Sequence, residues 1–454
     1  MCGIHAAISA DAGYHKLSAG LERRLRNRGP DHLGVVEAQL RQDDESKSAL
    51  YLTLTSTVLS LRGDHLGKQP LTDEESGSVL CWNGEAWKLG GKPVEGNDGE
   101  AVLSLLTAAS SKQGNEDSVL DALRSIDGPF AFIFLDKRAK RLYYGRDRLG
   151  RRSLLLKRGD EFLLSSIAEA PAEGWTEVEA DGCYTIQLSE ASSPREITPI
   201  RHDWDQNTAL ISSIGTFNAA LPTATTAPLT SQSPSVEQLQ GHLMESLQLR
   251  VLNVPIPPKA ETSDARVAND GEKVICRAVG GLSRQAMEIR HGQGMGQLSS
   301  GLQAEPYSTT ARVLLSGLGA DELFGGYVRH ATAFTRSGYP GLIDELKLDV
   351  GRLGKRNLGR DDRVMAHWSR EVRFPYLDES LVKWAIELPA WEKCDFDNQG
   401  TGCDFEPEKR VLRLLANKLG MRSVATEKKR AIQFGARTAK MESGKVKGTT
   451  LILA

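Results

Sequence analysis

The sequence has 454 residues, enough for two or three domains, and its content of 40% hydrophobic and 26% charged residues is typical of folded globular proteins. A formal net charge of −2 at pH 7 gives no overall attraction to nucleic acids or to acidic membrane surfaces. No apolar run is long enough to span a membrane, no secretory signal is visible, and the six cysteines lack zinc spacing, so we expect a cytoplasmic protein.

The chain begins with Met1-Cys2-Gly3-Ile4. Removal of Met1, which is usual before a small residue, would leave Cys2 with a free α-amine. An α-amine titrates near pH ~8 and could take the thiol proton at neutral pH, so the sequence allows Cys2 to be an N-terminal nucleophile. A cysteine at position 2 has no special role in most proteins, and the elements that follow decide the interpretation.

Hydrophobic periodicity predicts both helices and strands in residues 1–205. Leu17, Leu21 and Leu25 recur at helical spacing up to Gly29-Pro30, which predicts an amphipathic helix. A second helix is predicted over 100–106. Alternating or continuous apolar runs predict strands at 51–61, 79–82, 130–135, 142–144 and 162–165.

Two polar positions beside these elements each allow two interpretations. Asn83-Gly84 is a common turn between strands, but the Asn83 side-chain amide and the Gly84 backbone N–H could also form an oxyanion hole for a tetrahedral intermediate. Asp98 precedes the second predicted helix, where it could cap the helix or bind a substrate amine. The residues alone leave both choices open.

These elements, in this order, resemble the class II glutamine amidotransferase domain, which belongs to the N-terminal-nucleophile hydrolases. The matching positions are Cys2-Gly3-Ile4, Arg28-Gly29-Pro30-Asp31 with Gly34, Gln69-Pro70-Leu71, Asn83-Gly84-Glu85, Asp98, and Arg146-Asp147 with Gly150. The resemblance covers roughly residues 1–200 and implies a four-layer αββα sandwich. It also implies that Cys2 attacks the side-chain amide of glutamine, releasing ammonia and later glutamate, and that Glu85 and Asp98 bind the glutamine head group.

One position departs from that family's pattern. Its members hold the glutamine α-carboxylate with an arginine directly before a strand of the form Leu-x-Ile, whereas Val58 precedes Leu59-Ser60-Leu61 here. On a continuous strand, with ~3.3 Å per residue, Arg62 would lie on the same face as Val58 but about 13 Å away. Loss of the ion pair predicts weaker binding of glutamine, by ~2–5 kcal/mol if the site is dry.

Composition changes after residue 205. Residues 206–234 are rich in Ala, Thr, Ser and Pro and almost uncharged, which predicts a linker or an irregular wrap before a second domain over 235–454. An amphipathic helix that starts at Val236 opens this domain. Residues 269–308 contain mainly Gly, Gln, Ser and Arg with few apolar residues, so we expect an irregular loop there.

The most informative part of the second domain runs from Ser316 to Tyr327 and follows a short apolar strand. Gly317 and Gly319 allow a sharp turn with N–H groups close to a ligand. Asp321 and Glu322 could hold a Mg²⁺ ion that bridges phosphates. From the residues alone, a strand–turn–helix corner with a solvated acidic pair is the favoured alternative.

This stretch resembles the nucleotide-site motif of the asparagine synthetase family, Ser-Gly-x-Gly-x-Asp-Glu-x-Phe-x-Gly-Tyr. The resemblance continues at 371–378, 409–413 and 428–435, and Asn-Leu-Gly-Arg-Asp-Asp-Arg at 357–363 is similar to a subfamily called asparagine synthetase domain-containing proteins. It implies an adenine-nucleotide-hydrolase-like parallel α/β domain that uses ATP and Mg²⁺ to convert glutamine and aspartate to asparagine. By position, it assigns nucleotide binding to Ser316, Gly317, Gly319, Asp321 and Glu322, metal binding to Asp321, and further site positions to Glu371 and Arg430.

Three features of the second domain differ from that family. The Ser-Gly-Gly-x-Asp-Ser loop that binds pyrophosphate is missing, Leu318 replaces a glutamate, and Ala431 stands opposite a lysine that contacts phosphates. We therefore expect an incomplete domain. The sequence leaves three functions open: asparagine synthesis, binding or scaffolding without catalysis, and hydrolysis of another amide by Cys2.

Overall fold

The computed structural model describes residues 2–10, 15–40, 49–112, 115–169, 171–252, 254, 311–356, 358–399 and 404–429. Its strands are β1 (Gly3–Ser9), β2 (His32–Leu40), β3 (Leu50–Val58), β4 (Leu71–Thr72), β5 (Val79–Gly84), β6 (Lys88–Leu89), β7 (Lys92–Pro93), β8 (Ile126–Asp127), β9 (Phe130–Asp136), β10 (Arg141–Arg146), β11 (Leu155–Arg158), β12 (Phe162–Ser165), β13 (Trp175–Glu177), β14 (Gly182–Gln187), β15 (Ile200–Asp203), β16 (Leu210–Ile211), β17 (Gly215–Thr216), β18 (Val313–Leu315) and β19 (Glu371–Arg373). Its helices are α1 (Ala19–Arg28), α2 (Asp98–Ser110), α3 (Asn115–Arg124), α4 (Pro234–Val251), α5 (Ala320–Phe324), α6 (Val328–Val350), α7 (Leu353–Arg356), α8 (Leu358–Ala366), α9 (Glu379–Glu387), α10 (Arg410–Lys418) and α11 (Arg422–Thr426).

Two antiparallel six-stranded sheets form the N-terminal domain. Their strand orders are β13-β11-β12-β1-β3-β2 and β15-β14-β10-β9-β5-β4. Alternate apolar residues of each sheet, such as Ile4 and Leu54 in one and Ile133 in the other, meet in a core between the sheets. Helices α2 and α3 cover the outer face of the second sheet, and α1 packs on the first. The fold is the predicted αββα sandwich.

Strand β3 is shorter than its sequence pattern predicts. It ends at Val58 instead of continuing to Leu61, because the Ser60 backbone N–H donates to Asp31 Oδ2 at 2.9 Å and leaves the sheet ladder. The chain then bends at Gly63, whose φ of +84° suits glycine. The prediction of one continuous strand through residue 61 is therefore wrong, and the positions after Val58 point elsewhere.

The C-terminal domain is built around a parallel pair of strands, β18 and β19, with Val313 opposite Glu371 and Leu315 opposite Arg373. In the described part of the chain this parallel sheet has two strands. Helices α4, α6, α9 and α10 contribute to the apolar core beside it. Phe217 and Leu229, from the segment between the domains, are buried in the same core. The predicted loop at 269–308 lies outside the described residues. None of the described helices has the length and apolar character needed to cross a membrane.

Buried ion pairs join the two domains. Arg28 of α1 donates to Asp362 of α8 at 2.9 Å, and Arg152 lies 3.4 Å from Glu371 of β19. Arg151 pairs with Glu379 and also donates to the Leu377 carbonyl. Because buried charges are costly unless they are paired, these contacts hold the domains in one defined arrangement.

Candidate active site

A cleft of about 480 Å³, its open mouth included, lies where β1 begins and β3 and β5 end. The C-terminal domain contributes Glu371 to its wall. Its lining residues are Cys2, Val58, Leu59, Ser60, Leu61, Arg62, Gly67, Gln69, Leu71, Trp82, Gly84, Glu85, Asn97, Asp98, Gly99 and Glu371. The cleft therefore combines a thiol, three carboxylates and one guanidinium.

The position of Cys2 is set by its neighbours in the sheet and on α1. The Gly3 backbone N–H donates to Thr57 Oγ1 at 3.1 Å, and Arg28 Nε donates to the Cys2 carbonyl at 3.1 Å. A Cβ atom on Gly3 would lie 2.6 Å from Thr57 Oγ1, so glycine is required after the cysteine. Burial raises the pKa of the Cys2 thiol, although the positive amino terminus of the chain opposes that effect. The thiol is therefore protonated at rest and needs a base.

Gln69 also contacts the thiol. Its side-chain carbonyl accepts a hydrogen bond from the Trp82 backbone N–H at 2.9 Å, which directs its amide group to within 4.0 Å of Cys2 Sγ. The sequence motif Gln69-Pro70-Leu71 marked this position as part of a family pattern without assigning a role to it. In the structure, the Gln69 side chain lies beside the Cys2 thiol.

Asn83 and Gly84 lie in β5 and pair with Ala131 and Phe130 of β9, so they do not form the hairpin turn that was one interpretation of their sequence. The Asn83 side chain shares a strand face with Cys81, which packs between the sheets, where β1 also lies. Its amide nitrogen and oxygen are both fully buried, and no described protein group pairs with them. Leaving such a group unpaired costs ~1–3 kcal/mol. Gly84 lines the cleft, whereas Asn83 is fully buried beside it and is not among the lining residues.

Asp98 is the first residue of α2, but Asn97 caps this helix: its side chain accepts from the Glu100 backbone N–H at 3.2 Å. The capping interpretation of Asp98 is therefore wrong. One Asp98 carboxylate oxygen instead accepts from Trp82 Nε1 at 2.8 Å and from the Ala86 backbone N–H at 2.9 Å. Burial raises the pKa of Asp98, with Arg62 acting in the opposite direction.

Arg62 lines the cleft, although a continuous strand would have placed it about 13 Å from Val58. Since β3 ends at Val58, residue 62 is free of the strand geometry that predicted a separation of about 13 Å, and Val58 and Arg62 both line the cleft. The Arg62 guanidinium donates to the Ala86 carbonyl at 2.9 Å and to the Val94 carbonyl, and lies 3.6 Å from Glu85 Oε2. The signal that could have shown this is Gly63, a residue that ends strands.

Strand β19 of the C-terminal domain brings Glu371 to the wall of the cleft and places Arg373 against the cleft residue Glu85. Arg373 bridges the Glu85 carboxylate, at 3.0 Å, and the Glu371 carboxylate, at 2.6 Å. Burial raises the pKa of Glu85. Burial alone would also raise the pKa of Glu371, but Arg373 and Arg152 lower it to about 2. The glutamine-site acid predicted from sequence is thus linked directly to the other domain.

The predicted nucleotide-binding residues Ser316, Gly317, Gly319, Asp321 and Glu322 do not line the cleft. They form the turn between β18 and α5 and the first residues of that helix, with Gly319 at a φ of +99°. Asp321 lies 2.7 Å from Lys409 Nζ and 3.1 Å from Lys429 Nζ, and Glu322 accepts a hydrogen bond from the Tyr327 hydroxyl. Arg430 lies outside the described residues.

This arrangement does not fit the predicted Mg²⁺ site. Both carboxylates of the motif already have protein partners, and two of these partners are cations. Across the described ranges, no group of three or more histidine, cysteine or acidic side chains could hold a metal ion. A hard cation such as Mg²⁺ needs several oxygen ligands, which Asp321, paired with two lysines, does not supply.

Comparisons with known proteins agree with this architecture. The family model "Glutamine amidotransferase domain" matches residues 1–187, and the model "Asparagine synthase" matches 302–346 and 337–450. Asparagine synthetase domain-containing protein 1 from Bos taurus is 26% identical over 99% of this chain and 97% of its own length. That alignment extends over 640 positions, so at least 186 of them have no counterpart among the 454 residues of this chain.

Two further similarities are partial. A putative glutamine-hydrolysing asparagine synthetase from Methanocaldococcus jannaschii is 33% identical over 29% of this chain and 28% of its own length. Among solved structures, a glutamine phosphoribosylpyrophosphate amidotransferase from B. subtilis aligns with 45% of this chain and 50% of its own at a TM-score of 0.30 and 16% identity.

Proposed function

The chain belongs to the asparagine synthetase family, and from this membership we propose that it is a Cys2-dependent amidohydrolase that removes the side-chain amide nitrogen of glutamine. The observation that carries the proposal is the cleft in which Cys2 shares a wall with the carboxylates Glu85 and Asp98. A thiol nucleophile beside two acids suits a substrate that carries an amide at one end and an ammonium group at the other.

In the proposed reaction, removal of Met1 leaves the Cys2 α-amine as the general base. The amine takes the thiol proton, and the thiolate attacks the amide carbon of the substrate. The resulting oxyanion accepts hydrogen bonds from the Asn83 amide and the Gly84 backbone N–H; the unpaired state of the buried Asn83 amide supports this role. The protonated amine then donates to the departing nitrogen, ammonia leaves, and water hydrolyses the thioester to glutamate.

Asparagine synthesis is the second candidate, and one observation favours it. Glu371 of β19 lines the cleft, Arg373 of the same strand pairs with Glu85, and β19 pairs in register with β18, which leads directly into Ser316. Ammonia released at Cys2 would therefore meet the domain that the family uses for ATP-driven amidation of aspartate. The lysine partners of Asp321 and the missing pyrophosphate loop oppose this candidate, and we derive no step through ATP or Mg²⁺.

The first experiment measures glutamate release from glutamine by the purified chain, after mass spectrometry has established that Met1 is absent. We expect turnover that Cys2→Ala abolishes and that Asn83→Ala reduces about 10²–10³-fold. Cys81→Ala is the matched control, because Cys81 is also buried and reduced but does not line the cleft. Absence of turnover in the wild-type chain, or turnover that survives Cys2→Ala, would refute the proposal.

A parallel assay separates the two candidates. Asparagine synthesis requires pyrophosphate release that depends on aspartate, ATP and glutamine together. We expect glutamate release without pyrophosphate release. Because the proposed nucleophile is a thiol, we further propose a reducing compartment, the cytoplasm, as the site of action.

A further inference from the structure

We infer that Arg62 binds the α-carboxylate of the substrate and thereby makes free glutamine, rather than glutamine within a peptide, the preferred substrate. The inference rests on the proposed amidohydrolase function. The family's arginine for this carboxylate is replaced by Val58, so the chain needs another cation at the site. Arg62 is the only basic side chain among the described residues that line the cleft.

The fold explains how Arg62 reaches the cleft. Strand β3 stops at Val58, and the Ser60 backbone N–H donates to Asp31 instead of to the sheet, so residues 59–62 leave the strand geometry and Val58 and Arg62 line the same cavity as Cys2. Val58 supplies an apolar part of the wall. Compared with the family's pattern, the cationic residue stands four positions later in the chain, at Arg62 instead of at position 58, and it still lines the cleft.

The Arg62 guanidinium is held in place before any substrate binds. It donates to the carbonyls of Ala86 and Val94, and it lies 5.8 Å from the centre of the Trp87 ring. An arginine has five N–H donors, and the two carbonyls account for two of them. Its distance of 3.6 Å from Glu85 is longer than a hydrogen bond, so a carboxylate can compete for the remaining donors.

The charges in the cleft match the head group of a free amino acid. Glu85 and Asp98 can accept from an ammonium group, and Arg62 can donate to a carboxylate. A glutamine side chain within a peptide has neither group free. The same arrangement disfavours amides that lack an α-carboxylate, because Arg62 would then face a neutral group.

The test compares L-glutamine with L-glutaminamide, in which a neutral amide replaces the α-carboxylate. In the wild-type chain, kcat/KM for release of the side-chain nitrogen should favour glutamine. Arg62→Gln should lower kcat/KM for glutamine by about 30- to 5,000-fold, the range seen when one partner of a buried charge pair is removed. The ratio of kcat/KM between the two substrates should fall towards 1. Arg62→Lys should restore part of the ratio, because lysine keeps the charge but not the fork of donors.

A merely structural role for Arg62 gives a different result. If Arg62 only fastens the segment that contains Ala86 and Val94, Arg62→Gln lowers the kcat/KM of both substrates equally and leaves their ratio unchanged, which overturns the inference. Arg26→Gln is the matched control; this arginine is half exposed on α1, and its loss should change neither ratio nor activity.

Binding distinguishes failure of this inference from failure of the proposed function. If the wild-type chain hydrolyses neither substrate, calorimetry on the Cys2→Ala chain measures binding of glutamine and glutaminamide directly. Tighter binding of glutamine that Arg62→Gln removes supports the inference even without turnover. Equal binding of both compounds, or no binding of glutamine, overturns it.

Discussion

The Arg28–Asp362 pair should be one of the interactions that stabilise the two-domain arrangement most. Both side chains are at most 1% exposed, and the guanidinium and carboxylate are 2.9 Å apart across the domain interface. The same Asp362 oxygen accepts from the Ser153 backbone N–H at 3.1 Å, and its other oxygen lies 3.8 Å from Arg152. Asp362→Asn therefore removes the negative charge between two buried guanidinium groups.

The expected loss is ~3–5 kcal/mol, the cost of breaking a buried pair and leaving its partner charged in a dry site. The exposed pair Arg26–Glu22 provides the comparison: its atoms are 2.8 Å apart, but its side chains are 52% and 41% exposed. Water screens such a pair, and one on a helix at this spacing contributes ~0.3–0.5 kcal/mol. Two ion pairs of nearly equal length should thus differ in stability effect by about tenfold.

Urea unfolding of the wild-type chain, Asp362→Asn and Glu22→Gln, followed by tryptophan fluorescence, measures this difference. We expect a large decrease in the urea midpoint for Asp362→Asn and almost none for Glu22→Gln. Below the transition, Asp362→Asn should also slow Cys2-dependent turnover, because Arg28 Nε holds the Cys2 carbonyl. A midpoint decrease no larger than that of Glu22→Gln would refute the reasoning from burial.

Three further predictions concern buried positions, each measured by urea unfolding. Burial lowers the pKa of Lys393 from 10.5 to about 7. Between pH 7 and 10.5 the unfolded chain therefore holds a proton on this lysine that the folded chain does not, so the free energy of unfolding rises with pH across this interval. Lys393→Met should remove this rise and stabilise the chain at pH 7 by ~3–5 kcal/mol. Burial lowers the pKa of His5 from 6.5 to about 3, so stability should fall as pH decreases through this interval, and His5→Leu should abolish that fall. Gly128→Ala should destabilise by more than ~2 kcal/mol, since its Cβ would lie 2.0 Å from the Glu85 carbonyl, whereas Gly241→Ala, in open space on α4, should stabilise by ~1 kcal/mol. A pH slope unchanged in the Lys393 or His5 variant, or equal effects at the two glycines, would contradict these assignments.

The sequence predicts the αββα sandwich and the cleft residues next to strand ends, because local patterns determine both. Alternating apolar residues predict which strand faces meet, and the short motifs around Cys2, Asn83 and Glu85 keep their reactive groups beside strands whose positions the alternation fixes. A Cβ atom would lie 2.6 Å from Thr57 Oγ1 at Gly3 and 2.6 Å from the Pro129 carbonyl oxygen at Gly84, so both positions favour glycine.

Long-range contacts decided the rest. No local pattern tells that Lys409 and Lys429 neutralise Asp321, that Arg373 bridges Glu85, or that Arg62 reaches the cleft. The amino-acid sequence by itself determined the family and the sandwich, since these depend on side-chain identity and periodicity. Only the tertiary structure decided which charges are paired, because the energy of a charge depends on the burial and distance of partners that are far away along the chain.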